Sequence, residues 1–345
     1  MQTIQKILFT NAKDMAWLAA QSVQLIVTSP PYPMIEMWDE LFSKSSPEIT
    51  KSLDTMQGLK AFELMHKELD AIWTECYRVL TDGGFICINI GDATRTVNNE
   101  FQLYSNHSRI LKKLTELGLQ ILPEILWRKQ TNAPNKFMGS GMLPAGAYVT
   151  LEHEFILIAR KNGKREFKTQ TEKSIRQESG YFWEERNVWF SDIWEDIKGI
   201  NQKISFENST RERSAAFPFE LAYRLVNMYS VKGDVVLDPF VGTGTTLLAT
   251  LASERNGIGI EIEKTFENII TERINSGREP LNLIINERLK NHEKFIQKRL
   301  NEEKIPKYKN VNHKFPVITK QEENLLIRLI KRINQKASGE FEIIY

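Results

Sequence analysis

Cysteine is nearly absent from this chain. Two residues, Cys76 and Cys87, make no disulfide framework, and the five histidines show no metal-ligand spacing with either of them. No stretch approaches the roughly 18 consecutive apolar residues of a spanning helix. The N-terminus also lacks a basic segment followed by an apolar core, so a cytoplasmic protein with no membrane partner is the expectation. Net charge is scant, +2 over 345 residues, and neither demands nor excludes a polyanionic partner. Its distribution is uneven: residues 286–345 carry about +6 and the remainder is slightly acidic. Such a tail suits a phosphate-facing surface and a solvated helical extension equally well. Internal repeats and low-complexity tracts are missing too. At this length the chain can bury a large core and still hold an appended module.

What is present is an alternation of short apolar runs with helix-like segments, the pattern of a sheet sandwiched between helices. Strands are expected at Ile4–Phe9, Val23–Thr28, Phe85–Ile90, Ile121–Trp127, Phe155–Ala159, Val235–Leu237 and Ile258–Ile262. The run VQLIVT at 23–28 has the near-continuous apolar character of a strand buried on both faces. A helix is expected around Ala12–Ala20, and a polar loop or insertion over residues 39–57. Phe62, Met65, Leu69, Ile72, Cys76 and Val79 recur at spacings of three and four, an amphipathic helix that Gly83-Gly84 should stop. Leu111–Leu117 and Phe219–Tyr229 read as helices, and further helices follow the strands at 235–237 and 258–262, through Arg255 and to about Ile274. Residues 161–213 break this rhythm with interleaved aromatics and charges, and residues 276–345 look mostly helical. The divisions expected are therefore 1–160, 161–215, 216–275 and 276–345.

Two stretches carry chemistry. Thr28-Ser29-Pro30-Pro31-Tyr32-Pro33 follows a strand directly, where ligands bind in open α/β sheets. Consecutive prolines stiffen this loop and leave its carbonyls free to accept. An acceptor-rich loop ending in an aromatic ring suits a planar base bearing an NH2 group: Ser29 Oγ and the Pro30 carbonyl can accept from the amine, and Tyr32 can stack on the ring. Read alone, the same residues fit a turn that closes a strand. The second stretch, Asp238-Pro239-Phe240-Val241-Gly242-Thr243-Gly244-Thr245-Thr246, again leaves a strand and opens a helix. Its glycines allow close backbone approach and its helix N-terminus offers N–H groups. It has neither the lysine of a P-loop nor the glycine spacing of a dinucleotide fingerprint. The next strand ends at Glu261, where a carboxylate commonly grips ribose hydroxyls. A ribose and a carboxylate without a required phosphate point to S-adenosylmethionine; tight strand–helix packing is the blander explanation of the glycines.

Together the two stretches resemble the DNA amino-methyltransferases, in the β-group order with the Pro-Pro-Tyr loop first. The resemblance spans roughly residues 4–160 and 215–275. It includes Trp73, Arg78 to Gly84, Ile90-Gly91-Asp92, Trp127-Arg128-Lys129, Phe217 to Leu221 and Lys232-Gly233-Asp234. It implies a Rossmann-like α/β methyltransferase fold, circularly permuted, with a mostly parallel seven-stranded sheet containing one reversed strand and a small target-recognition region. It further implies Ser29, Pro30, Pro31 and Tyr32 as catalytic residues, with Asn11, Phe217, Pro218, Asp238, Pro239, Phe240, Gly242, Gly244, Thr245 and Glu261 around the cofactor. One departure is Thr10-Asn11 where the family often has Gly-Asp; Asp14 is an alternative partner there.

Serine before Pro-Pro-Tyr is typical of the cytosine-N4 members, so N4 of cytosine in double-stranded DNA is the expected target and adenine N6 the alternative. Carbon-5 chemistry would need a thiolate, and both cysteines read as core. The base must be flipped from the duplex. Its sequence would be read from residues 161–213, where Arg165, Arg176, Arg186, Arg211 and Arg213 are candidate DNA contacts. The aromatics Tyr181 to Trp194 are expected to form that module's core. Lys290, Lys294, Lys298 and Arg299 lie about one helical turn apart and are candidates for phosphate contact, or for a dimer-forming or solvated helix. A cognate restriction endonuclease is a functional partner the resemblance suggests, with the enzyme a monomer or homodimer. The rival of another class is a DNA-binding relative that has lost the reaction.

Overall fold

A computed structural model describes residues 1–129, 138–139, 144–197 and 217–345. Among them eleven strands form one sheet: β1 Gln2–Phe9, β2 Val23–Thr28, β3 Leu80–Ile90, β4 Gln120–Ile121, β5 Ile125–Arg128, β6 His153–Arg160, β7 Ile193–Trp194, β8 Val235–Asp238, β9 Asn256–Glu261, β10 Arg332–Ala337 and β11 Glu340–Ile344. Their spatial order is β7-β5-β6-β3-β2-β8-β9-β1-β11-β10, and β4 pairs with β6 off this path. From β3 to β1 every pairing is parallel, and β6 runs against both β3 and β5. The seven strands β5-β6-β3-β2-β8-β9-β1 are thus the expected core with its single reversed member. The count of seven is corrected to eleven by the short β4 and β7 and by the β10–β11 hairpin, which extends the sheet beyond β1. Strands β2 and β8 are neighbours although some 200 residues separate them in sequence, which is the permuted order.

Side-chain alternation divides the core into two layers. Leu25 and Val27 of β2, Cys87 of β3 and Val236 of β8 face α7 (Phe219–Tyr229) and α8 (Thr245–Ala252). Val23, Ile26, Ile86, Ile88 and Leu237 face α3 (Gly58–Val79) and α4 (Asn106–Glu116). All six residues of the amphipathic stripe on α3 are buried. That helix ends at Val79, four residues before Gly83, so the glycines lie inside β3 rather than stopping the helix.

Four further expectations are corrected. Residues 12–20 form turns, not a helix, because Arg78 and Glu75 of α3 bond their backbone: Arg78 donates to Met15 O (2.7 Å) and Leu18 O (2.9 Å), and Glu75 accepts from Met15 N (3.1 Å). The polar stretch 39–57 holds two short helices, α1 Asp39–Ser45 and α2 Pro47–Asp54, whose buried residues are only Phe42, Ile49 and Ser52. The expected strand 121–127 is split into β4 and β5 around Leu122-Pro123-Glu124, since a proline cannot donate to a ladder. The C-terminal region is α-helical only over α10 (Arg278–Asn301), has one short 3-10 turn at Lys320–Glu322, and its last residues extend the sheet.

Residues 161–197 form α5 (Gln170–Glu178), α6 (Trp183–Trp189) and β7, packed along the main body. Phe182, Trp189 and Trp194 are buried, but against the main body rather than as a core of their own: Trp194 joins the main core, Phe182 stacks on His292 and Trp189 lies under Arg288, while Trp183 and Phe190 remain exposed. Helix α9 (Glu267–Asn275) lies between β9 and α10.

Candidate active site

Parallel strands place all their C-terminal ends on one edge of the sheet, and the reversed β6 contributes its N-terminal end there. At this edge lies a cavity of about 650 Å³, of the size of ligand clefts. Thr10 and Asn11 reach it from β1, Ser29 to Tyr32 from β2, Asn89 and Gly91 from β3, and Lys129 from β5. Glu154 of β6, Asp238 to Thr243 after β8, Thr245 of α8, Glu261 of β9 and Phe217 complete the wall. Two loops more than 200 residues apart therefore share one cleft.

Asp238 links them. Its Oδ1 accepts from Thr28 Oγ1 at 2.6 Å and from Phe240 N at 3.0 Å, and its Oδ2 accepts from Thr246 Oγ1 at 2.6 Å. Burial pushes this carboxyl up to about 6, against the pull of those hydrogen bonds. Both oxygens are committed to the protein, so Asp238 holds the end of β2 against α8 and shapes the loop. Gly242 and Gly244 have φ of 51° and 86°, the left-handed region that a side chain strains. Gly244 caps α8 and Pro218 caps α7; neither lines the cavity.

One half of the cavity carries polar and apolar groups that would suit S-adenosylmethionine. Glu261 is held by Gly242 N on Oε2 (3.0 Å) and Glu263 N on Oε1 (2.9 Å), with burial raising its pKa. Its remaining lone pairs can meet hydroxyls. Thr245 Oγ1 is buried with no hydrogen-bond partner among the described residues, an orphan that a polar ligand would satisfy. Phe240 and Phe217 supply apolar wall. Asn11 is exposed at the rim, its Oδ1 accepting from Lys13 N. Asp14 instead accepts from Ala16 N and does not reach the cavity.

The other half is built round Tyr32. Its hydroxyl donates to Glu154 Oε2 (2.8 Å), accepts from Asn89 Nδ2 (2.9 Å) and lies 3.2 Å from Ser29 Oγ. Burial first, then the Glu154 charge, raises the phenol well above its ordinary value, so it stays protonated. A Cβ at Gly91 would come within 3.0 Å of the Tyr32 ring, so glycine there seats the ring. Buried Asn106 of α4 bonds Pro33 O (3.1 Å) and Gly91 O (3.0 Å), tying the loop to the end of β3.

Asn89, Glu154 and Asn106 were not singled out from sequence. A Glu in a strand gives no signal until β6 is known to run backwards beside β3. Cys76 and Cys87 are buried, and burial raises both thiols far out of the nucleophilic range.

The arginines scatter. Arg165 pairs with Asp234 Oδ2 (2.6 Å) just before β8, and both Arg165 and Arg176 pack on Phe167. This is the sheet edge opposite the cavity, so neither is placed to read a base lodged there. Arg186 is exposed on α6, and Arg211 and Arg213 lie outside the described residues.

The DNA methylase family matches residues 23–272. Type II methyltransferase M.MthZI of Methanothermobacter thermautotrophicus is 50% identical over 346 residues, covering 100% of this chain and 96% of that protein. M.MjaI of Methanocaldococcus jannaschii is 47% identical over 285 residues, 79% of this chain and 91% of its own length. Among solved structures, the putative DNA modification methylase TTHA0409 of Thermus thermophilus, in complex with S-adenosyl-L-methionine, has 31% identity and a TM-score of 0.60, covering 78% of this chain and 93% of that one. With the shared cleft and these matches together, the chain belongs to the DNA methylase family and is an S-adenosylmethionine-dependent DNA methyltransferase.

Proposed function

We propose that this enzyme methylates N4 of cytosine in duplex DNA, as the modification partner of a type II restriction system. The observation that carries the reading is the single cleft in which Ser29-Pro30-Pro31-Tyr32 faces the Phe240 to Thr245 loop, with Thr28 and Asp238 bonded between them. The cofactor supplies an electrophilic methyl group on a sulfonium. Phe217, Phe240, Gly242, Thr245 and Glu261 would hold it, and Asn11 stands at the rim.

A flipped base entering the other half would lie against Tyr32. Stacking there offsets part of the few kcal/mol that flipping costs, being worth about 1–3 kcal/mol. Ser29 Oγ and the Pro30 carbonyl would accept from the amine, favouring a more tetrahedral nitrogen. The lone pair, otherwise delocalised into the ring, then points at the methyl group, and catalysis is mainly positioning. The serine at position 29 supports cytosine over adenine. Of the arginines, Arg186, Arg211 and Arg213 remain as DNA contacts; the type II assignment rests on the names borne by M.MthZI and M.MjaI.

Nucleoside digestion and mass spectrometry of DNA treated with the enzyme should yield N4-methylcytosine; N6-methyladenine would overturn the base assignment and leave the reaction. Tyr32→Ala and Pro30→Ala should each abolish most turnover while calorimetry finds cofactor binding largely intact. Equal loss of both would refute the division of the cleft.

A further inference from the structure

Glu154, Asn89 and Tyr32 form a hydrogen-bond cluster whose direction follows from the chemistry of its members. Glu154 is 8% exposed, and its carboxylate is paired with Lys129, whose Nζ donates to Oε1 at 2.8 Å, so it can only accept. Asn89 Nδ2 donates to Glu154 Oε2 (2.7 Å) and to Tyr32 Oη (2.9 Å), two acceptors that lie 2.8 Å apart. The flipped amide would set a carbonyl against the carboxylate, which fixes its orientation. Tyr32, kept protonated by burial, gives its one hydrogen to Glu154. The hydrogen between Ser29 Oγ and Tyr32 Oη must then belong to Ser29.

The hydroxyl hydrogens of Ser29 and Tyr32 are therefore both used internally. Ser29 is left with its lone pairs to offer a ligand, and Asn89 Oδ1 is buried without a partner among the described residues. A serine hydroxyl is by itself ambivalent, able to donate to a base carbonyl or accept from a base amine. We infer that Glu154 is a positioning and specificity-determining residue, which acts through Tyr32 to make Ser29 a pure acceptor and so selects an exocyclic amine against a carbonyl. The inference rests on the placement of the base at Ser29 given above.

Glu154→Gln is isosteric and reverses the cluster. Lys129 still requires an acceptor, so the glutamine turns its NH2 toward Tyr32 and Asn89; the Asn89 amide flips so that Oδ1 accepts from it, the phenol hydrogen swings to Ser29, and the serine hydrogen points at the incoming amine. In single-turnover assays on duplex DNA the variant should lose about ten- to hundredfold in rate, the cost of opposing a buried donor with a donor. Cofactor affinity should stay within about twofold by the same arithmetic. Tyr32→Phe, which keeps the ring and removes Oη, should lose a similar amount. In a Ser29→Ala background Glu154→Gln should cost almost nothing further, because its effect passes through Ser29. A merely structural Glu154 would instead lower the melting temperature and weaken cofactor binding alongside the rate. If Ser29→Ala and Tyr32→Ala leave transfer intact, the reading of the base site falls. If they slow it while Glu154→Gln is silent, or equally costly with and without Ser29, only the role of Glu154 falls.

Discussion

His66 illustrates what burial does to one residue behind the site. It is fully buried on α3, and its Nε2 pairs with Oδ1 of the same Asn106 that ties Pro33 to Gly91. Burial lowers its pKa to about 4. Between pH 6.5 and 4 the unfolded chain takes up a proton at this position that the folded chain refuses. Stability contributed by His66 is thus whole above pH 6.5 and is lost on acidification through that window, by up to about 3 kcal/mol. Urea unfolding at pH 8, 6 and 4.5 should show a shallower pH slope in His66→Gln than in the parent; parallel curves would refute it. Asn106 belongs to the same arrangement, and its isosteric loss of donors in Asn106→Asp should reduce turnover more than cofactor affinity.

At the scale of elements, α6 docks on α10 through a buried ion pair. Arg288 meets Glu185 at 2.5 and 2.8 Å and donates to Tyr223 of α7 at 3.1 Å, with Trp189 under its guanidinium. Removing one partner leaves the other charge buried, so Glu185→Ala should cost about 3–5 kcal/mol, and the double replacement Glu185→Leu/Arg288→Met clearly less. Denaturant midpoints of the two variants test the order, and equal costs would contradict it. None of this docking was legible in the charge pattern, where the same arginine looked like part of a basic tail. Strands β2, β3 and β8 were legible, since burial on both faces demands continuous apolar runs. The segment 12–20 misled because its periodicity is helical while its carbonyls are claimed by Arg78. Helices α1 and α2 were hidden by having one or two buried residues each.

For the molecule as a whole, the C-terminal hairpin matters more than its sequence suggests. Phe341, Ile343 and Tyr345 are buried, and β11 covers the free edge of β1. Each such side chain contributes about 1.5–3 kcal/mol by burial, together comparable to the few kcal/mol that hold a domain folded. A chain ending at residue 331 should be insoluble or lack a cooperative thermal transition by circular dichroism. A soluble, cofactor-binding product would show the hairpin to be dispensable.

The amino-acid order alone determined the two loops, their sequence along the chain and the cofactor they imply, because each chemistry is written within a few adjacent residues. It also determined the alternation of strands and helices, because burial imposes period on apolar residues. Only the tertiary structure decided that Glu154 and Asn89 stand beside Tyr32, that Arg165 and Arg176 lie at the wrong edge, and that the tail extends the sheet. Those facts depend on strand order and direction, which arise from contacts between residues distant in the chain and leave no local pattern to read.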